Sequence, residues 1–169
     1  MKIGLREEQI LGFYHEQAME LWDATCDLRY VCGALCDTGR HIDREATHIR
    51  LHRSFTPMLA AQLHHQLHNV EPAMRGHPFA VEIKIDGERM LCHKDGDRVT
   101  WFTRSATNYT GKYGPILTPR VLRHVKVDKR ILDGEVVGWD STQETFLHFK
   151  ENRSIVTDGG DMDGTRTLV

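Results

Sequence analysis

The chain has 169 residues, of which 40% are hydrophobic and 27% are charged, and its formal net charge is −2. This composition predicts one soluble globular domain, or one and a fraction. The small net charge excludes a chain that binds polyanions through its overall charge, although a local basic face is compatible with it. The N-terminal stretch MKIGLREEQI lacks the apolar segment of a secretory signal, and no apolar run approaches membrane-spanning length. The cysteines contain no Cys-x-x-Cys pair, so we expect reduced thiols rather than a zinc site.

The N-terminal region carries a helical pattern over residues 6–36. Apolar or small residues recur there at alternating spacings of four and three, which predicts a helix face that packs against another element. Thr25 belongs to a residue type that caps helices, so the pattern is compatible with one long helix or with two. The polar and charged residues 37–53 predict a connector, and a short amphipathic helix is expected over residues 62–70 before a loop with Pro and Gly.

Three histidines in that short helix, His64, His65 and His68, suggest a metal site, because positions 64 and 68 share a helix face. No carboxylate or third ligand stands at a metal-site spacing. A polar helix surface is therefore the favoured interpretation.

The hydrophobic period changes to two at Phe79, which is typical of strands. Asp86-Gly87 and Asp95-Gly96 are turn signals between the alternating segments. Strands are predicted over residues 79–85, 88–94, 97–104, 130–139 and 144–150. Short antiparallel strands that follow helices predict an α+β fold.

Lys84 lies between Glu82 and Asp86, directly before a glycine turn. A strand lysine that is solvated and paired with these two acids is the simple structural interpretation. The functional alternative is that the amine acts as a nucleophile on a phosphorus or carbonyl centre, for which it must be unprotonated. Burial or a nearby cation favours the unprotonated amine, so we expect Lys84 to be buried at the end of its strand.

Two further charged residues suit a reaction on a nucleotide phosphate. Arg89 lies a turn beyond Lys84, where its charge would offset that of the phosphates. Glu135 stands in a later predicted strand, and its carboxylate suits a magnesium ion.

The string Lys84-Ile-Asp-Gly-Glu-Arg89 matches the Lys-x-Asp-Gly-x-Arg motif of covalent nucleotidyltransferases, which include ATP-dependent DNA ligases, RNA ligases and mRNA capping enzymes. The wider sequence resembles eukaryotic ATP-dependent DNA ligases of the DNA ligase IV type. The resemblance covers roughly residues 2 to 148. It is carried by the segments GLREEQILGFYHEQAMELWDATCDL, FTPMLA, EIKIDGERMLCHKDGD, FTRSATNYT and ILDGEVV.

The resemblance implies a three-step reaction that begins at Lys84. The lysine takes AMP from ATP and releases pyrophosphate, AMP passes to the 5′-phosphate at a break, and the neighbouring 3′-hydroxyl displaces AMP and seals the strand. Glu135 would be the second acid, which binds Mg²⁺ or ribose, and Arg104 would face a phosphate of the nucleotide or of DNA.

The same resemblance implies a nucleotide pocket around the lysine. Glu82 would contact the adenine end of ATP, and Arg89 would lie near the ribose and phosphates. Ile83 and Ile85 would line the pocket through their backbone atoms.

In domain terms, the resemblance implies three parts. Residues 1–50 would be the last helices of a DNA-binding domain. Residues 51–150 would be the first half of an adenylation (nucleotidyltransferase, ATP-grasp-like) domain, rich in antiparallel sheet. Residues 151–169 are rich in Gly and Asp and are expected to form a divergent tail.

The expected substrate is nicked or broken double-stranded DNA, in double-strand break repair by non-homologous end joining in the nucleus. The resemblance also implies a coiled-coil scaffold partner, but the repeats that would hold it are not in this sequence. The strands that complete the nucleotide pocket are not in it either, so we expect weak or no activity from the chain alone.

Two other functions share parts of this pattern. An RNA capping enzyme or RNA ligase shares the lysine motif, although the helices before FTPMLA favour a DNA ligase. A catalytically inactive remnant would keep only DNA or partner binding. Five basic residues could form a local strip for such binding, or could be a solvated surface: Arg120, Arg123, Lys126, Lys129 and Arg130.

Overall fold

The structure is a computed structural model that describes residues 7–37, 39, 41–60, 67–157 and 164–169. It contains helices and antiparallel sheets, so the predicted α+β class is confirmed. No helix in these described ranges is both long and apolar enough to cross a membrane.

The N-terminal region forms three helices, α1 (Glu7–Tyr14), α2 (Ala18–Thr25) and α3 (Leu28–Ala34), where the sequence predicted one or two. Helix α2 ends at Thr25 and is capped by Cys26, whose φ of 46° is left-handed. Asp27, rather than Thr25, caps the next helix, because its side chain accepts a hydrogen bond from the Tyr30 amide over 3.0 Å. The apolar faces of these helices meet in a small core of Leu11, Ala18, Leu21, Val31 and Leu35.

The region between the helices and the sheet contains little regular structure. A single 3₁₀ turn, Arg44–Thr47, interrupts the predicted connector. Of the helix predicted over residues 62–70, positions 62–66 lie outside the described residues, and with them His64 and His65 of the metal hypothesis. The described part begins with a 3₁₀ turn, Leu67–Asn69, and continues as α4 (Val70–Met74), whose Pro72 is tolerated in the first turn.

The main sheet has three antiparallel strands in the order β2-β1-β3. They are β1 (Glu88–Asp95), β2 (Arg98–Thr103) and β3 (Lys129–Val136). Gly96, with a φ of 58°, makes the tight turn between β1 and β2 that the Asp-Gly signal predicted. The strand predicted over residues 130–139 is divided, because the chain leaves this sheet after Val136.

Helix α5 (Thr110–His124) packs on the sheet and was not predicted. It contains Pro115 and Pro119, which remove backbone donors and break the sequence pattern of a helix. Trp101 of β2 fixes the helix by donating from its indole nitrogen to Thr118 over 3.1 Å. Tyr113 and Leu117 bury the apolar face of the helix in the core.

A second small sheet is built by β4 (Gly138–Asp140), β5 (Thr145–Phe146) and β6 (Arg166–Leu168), in the order β5-β4-β6. Helix α6 (Phe149–Thr157) packs against β4 and β6. The strand predicted over residues 144–150 is therefore limited to β5. The described part of the expected tail contains α6 and β6, because buried Ile155 and Leu168 anchor both elements in the core.

Residues 79–86 form neither helix nor strand, so the strand predicted over residues 79–85 is wrong. Its alternating apolar side chains are exposed, with Val81 at 87% and Ile83 at 91%. An alternating pattern gives a strand only where a neighbouring strand supplies backbone partners. Within the described residues β1 begins only at Glu88, and no strand pairs with residues 79–86. For the same reason Lys84 is exposed rather than buried.

Candidate active site

A cleft of about 600 Å³ lies at the end of the main sheet where β1 begins and β3 ends. This volume is in the range of ligand sites, about 300–1,000 Å³. The cleft is lined by three cations, three carboxylates and a set of polar and aromatic residues: Lys84, Arg89, Arg104, Asp86, Glu88, Glu135, Gly87, Thr103, Ser105, Tyr109 and Phe149. These residues come from separate parts of the chain, and the β1–β2 and β1–β3 pairings bring most of them together.

The lysine motif is held against β3 by a close backbone approach at Gly87. A Cβ at this position would stand 2.5 Å from the Val136 carbonyl oxygen and 2.6 Å from a Val137 methyl carbon, so only glycine fits without displacement. The Gly87 amide donates to Oε1 of Glu135 over 3.1 Å. The tight approach therefore fixes Glu135 beside the chain that carries Lys84.

Arg89 is fixed at the floor of the cleft by a two-point contact with Asp133. Its Nε donates to Oδ1 over 2.9 Å and its Nη2 to Oδ2 over 2.6 Å, which is the geometry of a strong charge-assisted pair. Nη2 also donates to the Met58 carbonyl oxygen over 3.0 Å. The Asp133 carboxylate raises the pKa of the Arg89 guanidinium above its ordinary value. Arg89 is therefore a permanent positive charge in a set position.

Arg104 follows the last residue of β2 and lines the opposite wall, with its side chain exposed. The turn that carries it is closed by hydrogen bonds from the Thr103 amide to the Thr107 carbonyl, over 2.9 Å, and from the Ala106 amide to the Thr103 carbonyl, over 2.9 Å. Ala106 has a φ of 63°, a conformation that is uncommon for a residue with a side chain. This turn gives the guanidinium a fixed base on the cleft wall.

Four of the residues singled out in the sequence therefore line one cleft: Lys84, Arg89, Arg104 and Glu135. Glu82, Ile83 and Ile85 do not line it. They lie in the exposed segment that precedes β1, with Ile85 45% exposed.

Two tyrosines at the cleft were given no role in the sequence analysis. Tyr113 of α5 is fully buried, and its hydroxyl donates to Oε2 of Glu88, a cleft residue, in a short hydrogen bond. Tyr109, which lines the cleft, stacks on Tyr113 with ring centroids 5.8 Å apart. Tyr113 was missed because α5 was not predicted and its contact with Glu88 joins distant segments, whereas Tyr109 lies in the quoted segment FTRSATNYT.

The carboxylates of the cleft do not form a closed metal site. Within the described ranges, no group of three or more His, Cys, Asp or Glu residues is placed to hold a metal ion. Mg²⁺, however, is commonly held by one or two carboxylates together with substrate phosphates. Glu135 lies on the cleft surface, and one of its carboxylate oxygens accepts from Gly87. It therefore fits an ion that arrives with a phosphate ligand, but not a resident ion.

Comparison with known proteins identifies the family of the chain. Residues 57–166 match the family model of the ATP dependent DNA ligase domain. The chain is 36% identical over 154 residues to the DNA ligase 4 of Homo sapiens and 34% identical over 170 residues to that of Cryptococcus neoformans. These alignments cover 87% and 94% of this chain but 16% of each relative. The Arabidopsis thaliana DNA ligase 4 is 30% identical over 155 residues, which is 92% of this chain and 12% of that protein. The chain belongs to the family of ATP-dependent DNA ligases and resembles DNA ligase 4.

Proposed function

We propose that the chain uses Lys84 to take AMP from ATP as the first step of DNA strand sealing. The observation that carries the proposal is that Lys84, Arg89, Arg104 and Glu135 line one cleft of about 600 Å³. A nucleophile, two cations and a carboxylate in one polar site suit transfer from a nucleoside triphosphate. Family membership supports ATP as the donor.

In the proposed step the unprotonated Nζ of Lys84 attacks the α-phosphorus of ATP. A phosphorus–nitrogen bond forms, and the bond from the α-phosphorus to the oxygen that bridges to the β-phosphate breaks. The electron pair leaves with pyrophosphate, and the displaced N–H proton passes to solvent. Arg89 and Arg104 would offset the charge that develops on the phosphate oxygens.

Mg²⁺ is proposed as the ion that accompanies the nucleotide, and Glu135 would hold it. Its chemistry would be to withdraw charge from the phosphate oxygens. Glu135 is positioned for this by the Gly87 amide, which occupies one carboxylate oxygen and orients the other. Glu82, Ile83 and Ile85 would join the pocket only if the exposed segment before β1 folds toward the nucleotide.

The biological role that we propose follows from the resemblance to DNA ligase 4. The substrate would be nicked or broken double-stranded DNA, the process would be double-strand break repair by end joining in the nucleus, and a coiled-coil scaffold protein would be a partner of the longer ligases. The chain spans at most 16% of the length of the relatives described above. AMP transfer to Lys84 is therefore tested separately from sealing.

The test is to incubate the purified chain with ATP and MgCl₂ and to measure its intact mass. A gain of one AMP on a minor fraction of the wild-type molecules, in line with the weak activity expected of the chain alone, is predicted at Lys84 by peptide analysis, together with none on Lys84→Ala. Lys150→Ala is the matched control, because Lys150 is also an exposed lysine and does not line the cleft. No adduct on the wild type, or an equal adduct on Lys84→Ala, would refute the proposal.

The donor nucleotide separates the ligase function from a capping enzyme. ATP is expected to give the adduct in preference to GTP, and the reverse preference would favour RNA capping. Nicked duplex added to the adenylated chain then tests sealing. We expect weak sealing or none from residues 1–169, and a robust rate abolished by Lys84→Ala would contradict that expectation.

A further inference from the structure

The end of the main sheet that is remote from the cleft carries four exposed cations. They lie on the last turn of α5, on the connector that follows it and on the first residues of β3, and are called here the basic strip: Arg123, Lys126, Lys129 and Arg130. Arg120, one turn earlier in α5, lies beside β6 instead, where it donates to the Thr167 hydroxyl over 2.6 Å. Three acids lie in the same part of the fold, Asp95, Asp97 and Asp128, together with exposed Arg98 at the start of β2. These five cations and three acids give this end a local charge of about +2, whereas the chain as a whole has a net charge of −2.

The connector is fastened to the sheet, which gives the strip a fixed base. Lys94, only 5% exposed, donates from Nζ to the Val127 carbonyl over 2.9 Å. The Gly96 amide in the β1–β2 turn donates to the Asp128 carbonyl over 3.0 Å. These bonds brace the backbone that carries the exposed basic side chains, which lowers the entropic cost of binding a partner.

Few cations of the strip are held in ion pairs within the described residues. One ion pair is present, between Lys129 and Asp95 over 3.6 Å, and the Lys129 side chain is still 71% exposed. The helix dipole favours a cation in the last turn of α5, which gives Arg123 a structural reason. Lys126, Lys129 and Arg130 lie beyond the helix, so the dipole does not explain them.

The position of the strip relative to the cleft defines a spacing. In the β1–β3 register, Arg89 lies opposite Glu135 at the cleft, and Asp95 lies opposite Lys129 at the strip. Six residues of β1 separate the two pairs, which is about 20 Å in an antiparallel strand. For a duplex whose axis follows β1, which is part of the proposal below, a rise of about 3.4 Å per base pair converts this distance to roughly six base pairs.

We propose that the basic strip binds the phosphate backbone of double-stranded DNA about six base pairs from the break that the Lys84 cleft engages. This inference rests on the proposed function, which places the break at the cleft. The strip extends the footprint of the chain along the duplex and sets the direction in which the duplex leaves the cleft. Its contacts are to phosphate, so they position the DNA without reading its sequence.

The experiment measures binding of the full chain to a nicked duplex by fluorescence anisotropy over a series of KCl concentrations. The test variant is the triple substitution Arg123→Gln, Lys126→Gln and Arg130→Gln. The matched control removes the same charge from exposed residues elsewhere: Arg53→Gln, Arg75→Gln and Lys150→Gln. The slope of log affinity against log salt is expected to fall by about 0.9 for each phosphate that the variant no longer neutralises, so by as much as about 2.7 in the test variant. The control is expected to keep most of the slope.

A second arm tests the spacing. Neutral methylphosphonates replace the phosphates five to seven base pairs from the nick, or, in a second duplex, those next to the nick. The distant replacement is expected to weaken binding of the wild type at least tenfold and to have little further effect on the test variant. An equal slope for wild type and test variant overturns the inference and would leave the strip as a surface for an acidic protein. Equal sensitivity to replacement at both places overturns the spacing.

The adduct assay on the same preparations separates this inference from the proposed function. The test variant is expected to form the Lys84 adduct as the wild type does. A wild type that forms no adduct refutes the proposed function. A wild type that forms the adduct but does not bind duplex refutes the proposal that the basic strip binds DNA.

Discussion

His52 donates its backbone N–H to Nδ1 of His93 over 3.0 Å, and this contact joins the segment that precedes the sheet to the middle of β1. His93 has no exposed surface, and its ring packs against those of Phe55 and Phe102. Burial, and then the charge of His52, lower the pKa of His93 to about 4. Protonation would convert Nδ1 into a donor facing the donor of His52, so the contact exists only with a neutral ring.

The first prediction concerns the stability of the fold at acid pH. The unfolded pKa of a histidine is about 6.5, above the folded value of His93, so the unfolded chain binds the extra proton in this window. The stability that neutral His93 contributes is complete above about pH 6.5 and falls as the pH falls toward 4, by about 3 kcal/mol at most. Urea unfolding of the wild type and His93→Asn at pH 8, 6.5, 5 and 4 measures it. The wild type is expected to lose more stability than the variant, and parallel pH profiles would show that His93 does not titrate on unfolding.

The second prediction concerns the close approach at Gly87. Gly87→Ala places a methyl group 2.5 Å from the Val136 carbonyl oxygen, so β3 must shift. The expected loss is about 1–3 kcal/mol of unfolding free energy. Gly134→Ala is the matched control, since a Cβ there meets nothing within 4 Å. Urea denaturation of both variants decides the point, and equal stability would mean that the approach is looser than described.

The third prediction concerns the thiols. Burial raises the pKa of Cys92 to about 11, whereas Cys32 and Cys36 are exposed. At pH 8 iodoacetamide is expected to alkylate Cys32 and Cys36 first, and Cys92 on the order of a hundredfold or more slowly, because thiolate is the reactive form. Timed alkylation followed by peptide mass analysis measures each rate. Urea should remove the difference, and rapid labelling of native Cys92 would contradict its burial.

The fourth prediction tests whether α6 is an integral part of the fold. Asn152 is 1% exposed, and its Oδ1 accepts from the Gly138 amide over 2.7 Å. Asn152→Ala leaves that buried amide without its partner, at an expected cost of about 1–3 kcal/mol. Lys150→Ala, on the exposed face of the same helix, is expected to change stability by less than about 0.5 kcal/mol. Faster hydrogen exchange at Gly138 in the first variant alone would identify the broken hydrogen bond.

Sequence reasoning succeeded where a local signal and the tertiary structure agree. The β1–β2 hairpin was predictable because alternating apolar residues flank an Asp-Gly turn. The N-terminal helices were visible in their spacing, although their number was not, because Cys26 adopts a left-handed conformation that ordinary cysteine does not signal. The motif singled out Lys84 and Arg89, and the segment ILDGEVV singled out Glu135. The structure places these three residues in one cleft.

The predictions that failed have a common cause, because each feature depends on contacts between residues far apart in the sequence. Helix α5 was missed because Pro115 and Pro119 lower local helix propensity, whereas packing of the helix on β2 compensates for it. The Glu88–Tyr113 contact joins positions 25 residues apart. Lys84 was expected to be buried because it was placed at the end of a predicted strand. That strand does not form, because residues 79–86 have no partner strand among the described residues.

The exposed segment over residues 79–86 has a practical consequence for detecting the reaction. A protease binds its substrate as several consecutive accessible residues that are free of secondary structure, and this segment offers eight of them with a lysine inside. Trypsin should therefore cleave native protein after Lys84, since it recognises the positive side chain. Once AMP is attached to Nζ that charge is gone, so the same peptide bond becomes resistant. Resistance to trypsin at this peptide bond therefore indicates that Lys84 carries AMP. A short digestion would distinguish modified from unmodified molecules without any label.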